Sequence, residues 1–391
     1  MSVIMIQTSE DREKLLDTLE QVAQSGIVSP DSAHLNDVGN GPYLNYAERE
    51  MFRGLAMQGG ATVKLFEGTY GAGKSHLLQL LRHRALSCGM AVAYFDLSQD
   101  MRLEDWKQIT QFFLEQLEWR NGGRTVRSLP HILEALEADQ SERALSLRKA
   151  KLPHPGMQHA MWWGVHRGQH GDNSRRLLHE YLNGGRVAAA DFKRYGLTGI
   201  KGYLSQRNAE QYMKTVLAGL RLLGVPGVLL LFDENERTLQ PKGKMPTRKL
   251  NIAANLMRRF IDGCTTGALP GTVAVFAVLP GFISMCTEEY PALGQRLIPP
   301  HLDLGKAWRL TASSVEKVNA NATPEAFLEE AADHFTELVR ILGGRSEGLA
   351  VELRSKGMEV LQKQADEGHK RMLMKTLAYN SLLRLEQEEH R

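Results

Sequence analysis

Apolar residues in this chain follow two spacings, and the switches between them predict its elements. Four short stretches of strand length are rich in apolar, β-branched and aromatic residues: residues 61–66 (A-T-V-K-L-F), 89–96 (G-M-A-V-A-Y-F-D), 227–233 (G-V-L-L-L-F-D) and 271–278 (G-T-V-A-V-F-A-V). Runs of this length, rich in Val, Leu and Phe, predict strands of a largely buried sheet. Elsewhere the apolar positions fall three and four apart, predicting helices over 10–24, 76–86, 209–223 and 248–261. Leu77, Leu80 and Leu81 form one side of the second of these.

From 103 to about 202 the pattern is mostly helical, with breaks at Asn121-Gly-Gly123, Pro153 to Pro155, Gly171 and Gly184-Gly185. This stretch reads as a helical insertion within one domain. The tail from 323 is helical again, interrupted at Gly343-Gly344, and carries a charged face. The expected architecture is α/β, a parallel sheet flanked by helices with a large helical insertion and a helical C-terminal region. Three parts are expected: an N-terminal helix and lead-in segment (1–43), the α/β domain (44–312, insertion about 103–202) and the C-terminal helices (313–391).

Between the first strand and its helix lies Gly68-Thr69-Tyr70-Gly71-Ala72-Gly73-Lys74-Ser75, followed by His76. This is a complete G-x-x-x-x-G-K-S phosphate loop in the strand–loop–helix order its chemistry requires. The glycines let the backbone wrap phosphates so that successive N–H groups point inward, and the helix N-terminus adds partial positive charge. Residues 68–76 are the expected ATP-binding segment, with Lys74 on the β- and γ-phosphates and Ser75 on Mg²⁺. The predicted fold is therefore that of a P-loop NTPase.

The run 228–232 delivers Asp233 and Glu234 at its end. Asp233 is expected in the Mg²⁺ shell, and Glu234 is expected to polarise the attacking water. A hydrolase needs such a glutamate beside the metal acid, whereas a small-molecule kinase does not. The strand ending at Val278 is expected between the two motif strands. Where related ATPases carry a polar group that senses the γ-phosphate, this chain has Leu279-Pro280, with Ser284 the nearest hydroxyl. Arg296 follows, in Y-P-A-L-G-Q-R-L, as a candidate to reach a neighbouring subunit's phosphate; its plain reading is a surface or capping arginine.

Composition narrows the classes. Hydrophobic residues make up 42% and charged residues 24%, ordinary for a globular protein, and no run of 18 apolar residues suggests a membrane span. The first residues lack the basic start and apolar core of a signal peptide. Cys88, Cys264 and Cys286 are scattered without metal spacing and fit a reducing cytoplasm. A net charge of +3 does not by itself argue for nucleic acid. His154, His159, His166, His170 and His179 cluster, and 166/170 have helical metal-pair spacing, but nothing completes a ligand set, so a solvated histidine-rich helix is expected. Trp162-Trp163 reads as packing rather than base stacking. The basic run Lys242, Lys244, Arg248, Lys249, Arg258 and Arg259 reads as a DNA-contacting segment or as a solvated loop.

Taken together, G-T-Y-G-A-G-K-S-H-L-L, Y-F-D-L-S with Arg102-Leu103, L-L-H-E-Y-L-N-G-G around Tyr181 to Gly185, G-V-P-G-V-L-L-L-F-D-E-N-E and Y-P-A-L-G-Q-R-L resemble the BREX-system ATP-binding proteins. That BrxD-like P-loop family is related to the AAA+ ATPases that include origin-recognition initiators. The resemblance spans about residues 15–340, and members usually carry Thr-Pro in place of Leu279-Pro280. It implies an ATPase of bacterial anti-phage loci, found typically beside a helicase-like protein; the expected role is a switch or assembly factor that acts with that protein and DNA, in a homo- or hetero-oligomer. A scaffold that binds ATP and hardly turns it over is the alternative: the apolar Leu279 favours it and Glu234 opposes it.

Overall fold

The computed structural model describes residues 8–97, 105–136, 141–166, 171–233, 247–297, 313–317, 323–363 and 369–389, and the statements below concern these. The apolar runs form strands β1 (Thr62–Glu67), β2 (Ala91–Asp96), β5 (Val228–Asp233) and β6 (Thr272–Val278). Two short strands, β3 (Glu118–Asn121) and β4 (Arg124–Arg127), lie within the expected helical insertion, and β7 (Ser314–Lys317) follows it. The order in the sheet is β4-β3-β2-β5-β6-β1-β7, so β6 lies between the two motif strands as expected. β2, β5 and β6 are mutually parallel, and β3 and β4 add an antiparallel edge.

The break at Asn121-Gly-Gly123 is thus the turn of a β-hairpin and not a gap between helices. Gly122 and Gly123 both take positive φ, which a tight two-residue turn requires. Every residue of β5 and β6 is buried, which explains their unbroken apolar sequence. In-register Phe95, Phe232 and Phe276 stack across β2, β5 and β6, each ring 4.4 Å from the next, and Phe260 meets Phe232 edge-on at 5.4 Å. This aromatic ladder ends one residue before Asp233 and holds the end of β5 in place.

The chain divides into two compact units. One, residues 47–66 and 84–316, carries the sheet and its covering helices. Its core includes the helix Ala209–Leu222, which packs on Trp106–Gln116, Ser141–Lys149 and Pro155–Gly164. Inside it the Tyr181 and Tyr212 hydroxyls share a 2.8 Å hydrogen bond, and burial pushes the Tyr181 phenol up to about 12. Lys64 of β1 is fully buried, 3.1 Å from Ser314 Oγ and 3.7 Å from the Glu316 carboxylate on β7; burial lowers its pKa against the pull of Glu316.

The other unit comprises residues 1–46, 67–83 and 317–391. Here the helix Ser9–Ser25 packs on His369–Glu389, and Pro324–Ile341 and Leu349–Lys363 complete the bundle. Leu15, Leu19, Val22, Phe335, Leu353 and Leu377 share its core. Thr8 and Asp11 form a reciprocal capping box on the first helix, and Thr323 caps Pro324–Ile341. The break expected at Gly343-Gly344 is present: Gly343 has φ +89° just past the helix end.

Candidate nucleotide site

The phosphate loop follows β1 directly in the chain, and its helix begins at Lys74 (Lys74–Ser87). Gly71 and Gly73 have φ of 75° and 92°, the left-handed geometry that turns consecutive N–H groups toward one concavity. Lys74 is almost fully buried: its Nζ donates to the carbonyls of Gly68 (2.8 Å) and Thr69 (3.1 Å), with the Tyr70 ring centroid 5.6 Å away. The ammonium is therefore folded into the concavity of its own loop. Ser75 and Tyr70 are exposed, with a hydroxyl and an aromatic face open to a ligand. A loop of backbone donors, a helix N-terminus and a captive ammonium fit a triphosphate, and an accessible serine hydroxyl beside them fits a hard divalent cation.

At His76, the last residue of the expected nucleotide-binding segment, burial lowers the pKa against the pull of Asp37 and of the Asn36 backbone. Asp233, the carboxylate expected to hold the cation, ends β5 and is 4% exposed. Its Oδ2 accepts a 2.5 Å hydrogen bond from the Tyr94 hydroxyl of β2. Tyr94 was missed from the sequence because its one signal is a lone hydroxyl inside an apolar strand. Glu234 lies outside the described residues.

Arg296 bonds the Asp262 carboxylate through Nε and the Ala292 carbonyl through Nη1 at 2.7 Å. Asp262 Oδ2 also accepts from Arg258 at 2.9 Å, and Arg259 pairs with Glu210, so both described side chains of the basic run are tied to acids. Lys242 and Lys244 lie outside the described residues. His166 is bonded to the Trp162 carbonyl at 2.7 Å, and among the described residues no group of three or more metal-ligating side chains occurs. Trp163 donates to the Thr198 carbonyl and Trp162 lies under Arg148, a packing role for both. No described helix is long and apolar enough to cross a membrane.

Comparison with curated proteins and with solved structures gives no match. Comparison with protein families matches residues 9–160 and 157–303 to the BREX system ATP-binding protein BrxC/D family. The matched residues include the phosphate loop, β5 with Asp233, and Arg296, and cover well over half of the chain, which thus belongs to the BREX system ATP-binding proteins of the BrxC/D family.

Proposed function

We propose that this protein is a Mg²⁺-dependent ATPase that acts as a switch or assembly factor in its defence system. The observation that carries the reading is the loop geometry: left-handed Gly71 and Gly73 around a captive Lys74 at the start of a helix. In this reading Lys74 exchanges the carbonyls of Gly68 and Thr69 for phosphate oxygens, and Ser75 and Asp233 hold the cation. The cation would neutralise charge on the phosphates, the chemistry the side chains cannot supply alone. Glu234, the next residue after Asp233, orients and polarises water for hydrolysis to ADP and phosphate. A helicase-like protein and DNA are the partners expected of such a switch.

One observation favours a second reading, a nucleotide-stabilised scaffold: β6 is followed by Leu279-Pro280, which offers no side-chain donor to a γ-phosphate. Glu234→Gln separates the two. It keeps shape and loses charge, so Mg·ATP should bind as in wild type while turnover, measured with and without DNA and the partner, collapses. Equal turnover in wild type and Glu234→Gln would sink the hydrolase reading and leave the scaffold.

A further inference from the structure

Between the helices Asp172–Leu182 and Ala209–Leu222 the chain gathers positive charge that its surroundings do not balance. Residues 186–207 carry Arg186, Lys193, Arg194, Lys201 and Arg207 against Asp191 alone, a net charge of +4 where the whole chain has +3. Val187, Phe192, Leu197, Ile200 and Leu204 alternate with these cations and are buried in the core of the sheet unit. The five cations are exposed. Among the described residues none of the five is held in an ion pair, whereas Arg258 and Arg259 are.

Two of the arginines lie on tyrosine rings instead. Arg186 is 4.6 Å from the ring centroid of Tyr203, and Arg194 is 5.8 Å from that of Tyr195. Tyr203 is 43% exposed and lines a cleft of about 490 Å³ with Gln206 and Arg207. The wall of this cleft is braced. Asn208 Oδ1 accepts from the Ser205 amide at 2.8 Å and from its hydroxyl at 3.0 Å, and Asn208 Nδ2 donates to the Tyr203 carbonyl at 3.0 Å. Gln206 accepts from the Lys107 amide at 3.3 Å, which ties the loop to the start of the helix Trp106–Gln116.

A solvated surface accounts for the charge alone. Charge, an accessible aromatic ring and a braced cleft together fit a ligand with phosphates and flat apolar faces. A duplex keeps its base faces inside its own stack, so only a strand with open bases uses the ring. An acidic polypeptide satisfies the cations and leaves the ring and cleft without a role. The cleft volume is in the range of small-ligand pockets and admits one base with its sugar.

We propose that residues 186–207 form a binding surface for single-stranded nucleic acid, with Arg186 and Arg207 on phosphates and one base stacked on Tyr203 in the cleft. The proposal gives the nucleic acid expected of the switch a place on the chain. It requires no bound ATP, so it and the nucleotide site fail separately.

The test uses the full chain without ATP. Fluorescence anisotropy measures binding of a labelled oligothymidylate of about 20 nucleotides, its duplex with oligoadenylate, and labelled polyglutamate, across about 50–200 mM salt. The single strand should bind about tenfold tighter than either competitor. Replacing both arginines, Arg186→Gln with Arg207→Gln, should reduce the slope of log affinity against log salt by about 1.4, two phosphate contacts at about 0.7 each. Tyr203→Ala should weaken binding about tenfold at unchanged slope, and Tyr203→Phe should stay within about threefold of wild type. Lys14→Gln, which removes an exposed cation of the helix Ser9–Ser25, is the control and should bind as wild type. A wild type that holds no single strand at about 50 mM salt overturns the proposal. So does duplex or polyglutamate bound as tightly as the single strand, an arginine pair whose loss leaves the slope at the control's value, or Tyr203→Ala that binds like wild type. Should Tyr203→Ala not fold, the arginine slope and the preference for single strand decide.

Discussion

The Tyr94 hydroxyl lies 2.5 Å from Oδ2 of Asp233, on the neighbouring parallel strand. Tyr94 is in register with Leu231, so its side chain reaches two residues along β5 to the carboxylate. A hydrogen bond to an ionised acid is about twice as strong as a neutral one and fixes the orientation of the acceptor. With the Phe95–Phe232–Phe276 ladder fixing the strand end, Tyr94 fixes the carboxylate itself. Tyr94→Phe keeps the ring and removes the donor. The Mg²⁺ concentration that half-saturates nucleotide binding should rise about tenfold while the fold is retained. A magnesium titration of variant and wild type checks this; coincident curves would deny Tyr94 a part in metal binding.

Lys74→Ala should abolish ATP binding and leave a folded protein. The side chain is buried, and its bonds to Gly68 and Thr69 stay within its own loop. Losing them should cost about 1 kcal/mol, seen as a fall of a few degrees in Tm. Calorimetric titration with ATP and a thermal melt, run on one preparation, give both quantities. Submicromolar affinity in the variant would remove the loop from the nucleotide site.

The sheet was legible because burial on both faces writes itself as continuous apolar sequence: 228–232 contains no polar residue, and all of β5 is buried. The phosphate loop was legible because its backbone conformation admits few residues besides glycine at positions 71 and 73. What stayed hidden depends on long-range contact. Leu15, Leu19 and Val22 share a core with Phe335 and Leu377, and no local period pairs the two ends of a chain. The hairpin of β3 and β4 is short and charged, R-T-V-R against E-W-R-N, so its pattern falls below the helical signal around it. The partners of Tyr94 and Arg296 each come from another element, and a lone polar residue in an apolar pattern says only that some partner exists.

Acid should destabilise the unit that holds His76 and His334. Burial pushes His334 down to about 4 and lowers His76 from its usual value, with Asp37 opposing the shift in both. Below about pH 6.5 the unfolded chain takes up protons that the folded rings refuse, so stability falls with pH. The His334 share stops falling near pH 4. Each histidine should contribute a slope of up to about 1.4 kcal/mol per pH unit. Urea unfolding followed between pH 7.5 and pH 5 should show His334→Asn losing one histidine's worth of that slope, with Asp37 untouched. Parallel slopes in variant and wild type would mean the ring is protonated in the fold.

Arg296 is the candidate that the sequence offers for assembly, and in the fold it is bonded to Asp262 of its own chain. The two side chains are 31% and 36% exposed, so the pair is worth about 1 kcal/mol or less. An arginine that stabilises charge on a neighbour's γ-phosphate contributes about 10³–10⁵ in rate, far more than is lost when the pair opens. The charge that develops in the transition state on a neighbouring subunit's γ-phosphate would therefore outweigh the Asp262 pair. Arg296→Ala should then bind ATP normally and lose most of its assembly-dependent turnover, whereas Asp262→Asn, which releases the arginine, should keep or raise it. If the pair is only a link between the helix Thr247–Thr265 and the turn after Pro291–Gly294, both substitutions should have the same small effect. Turnover as a function of protein concentration, with light scattering in a non-hydrolysable ATP analogue, separates these outcomes. A monomer under every condition, with and without the helicase-like partner, would remove Arg296 from the site.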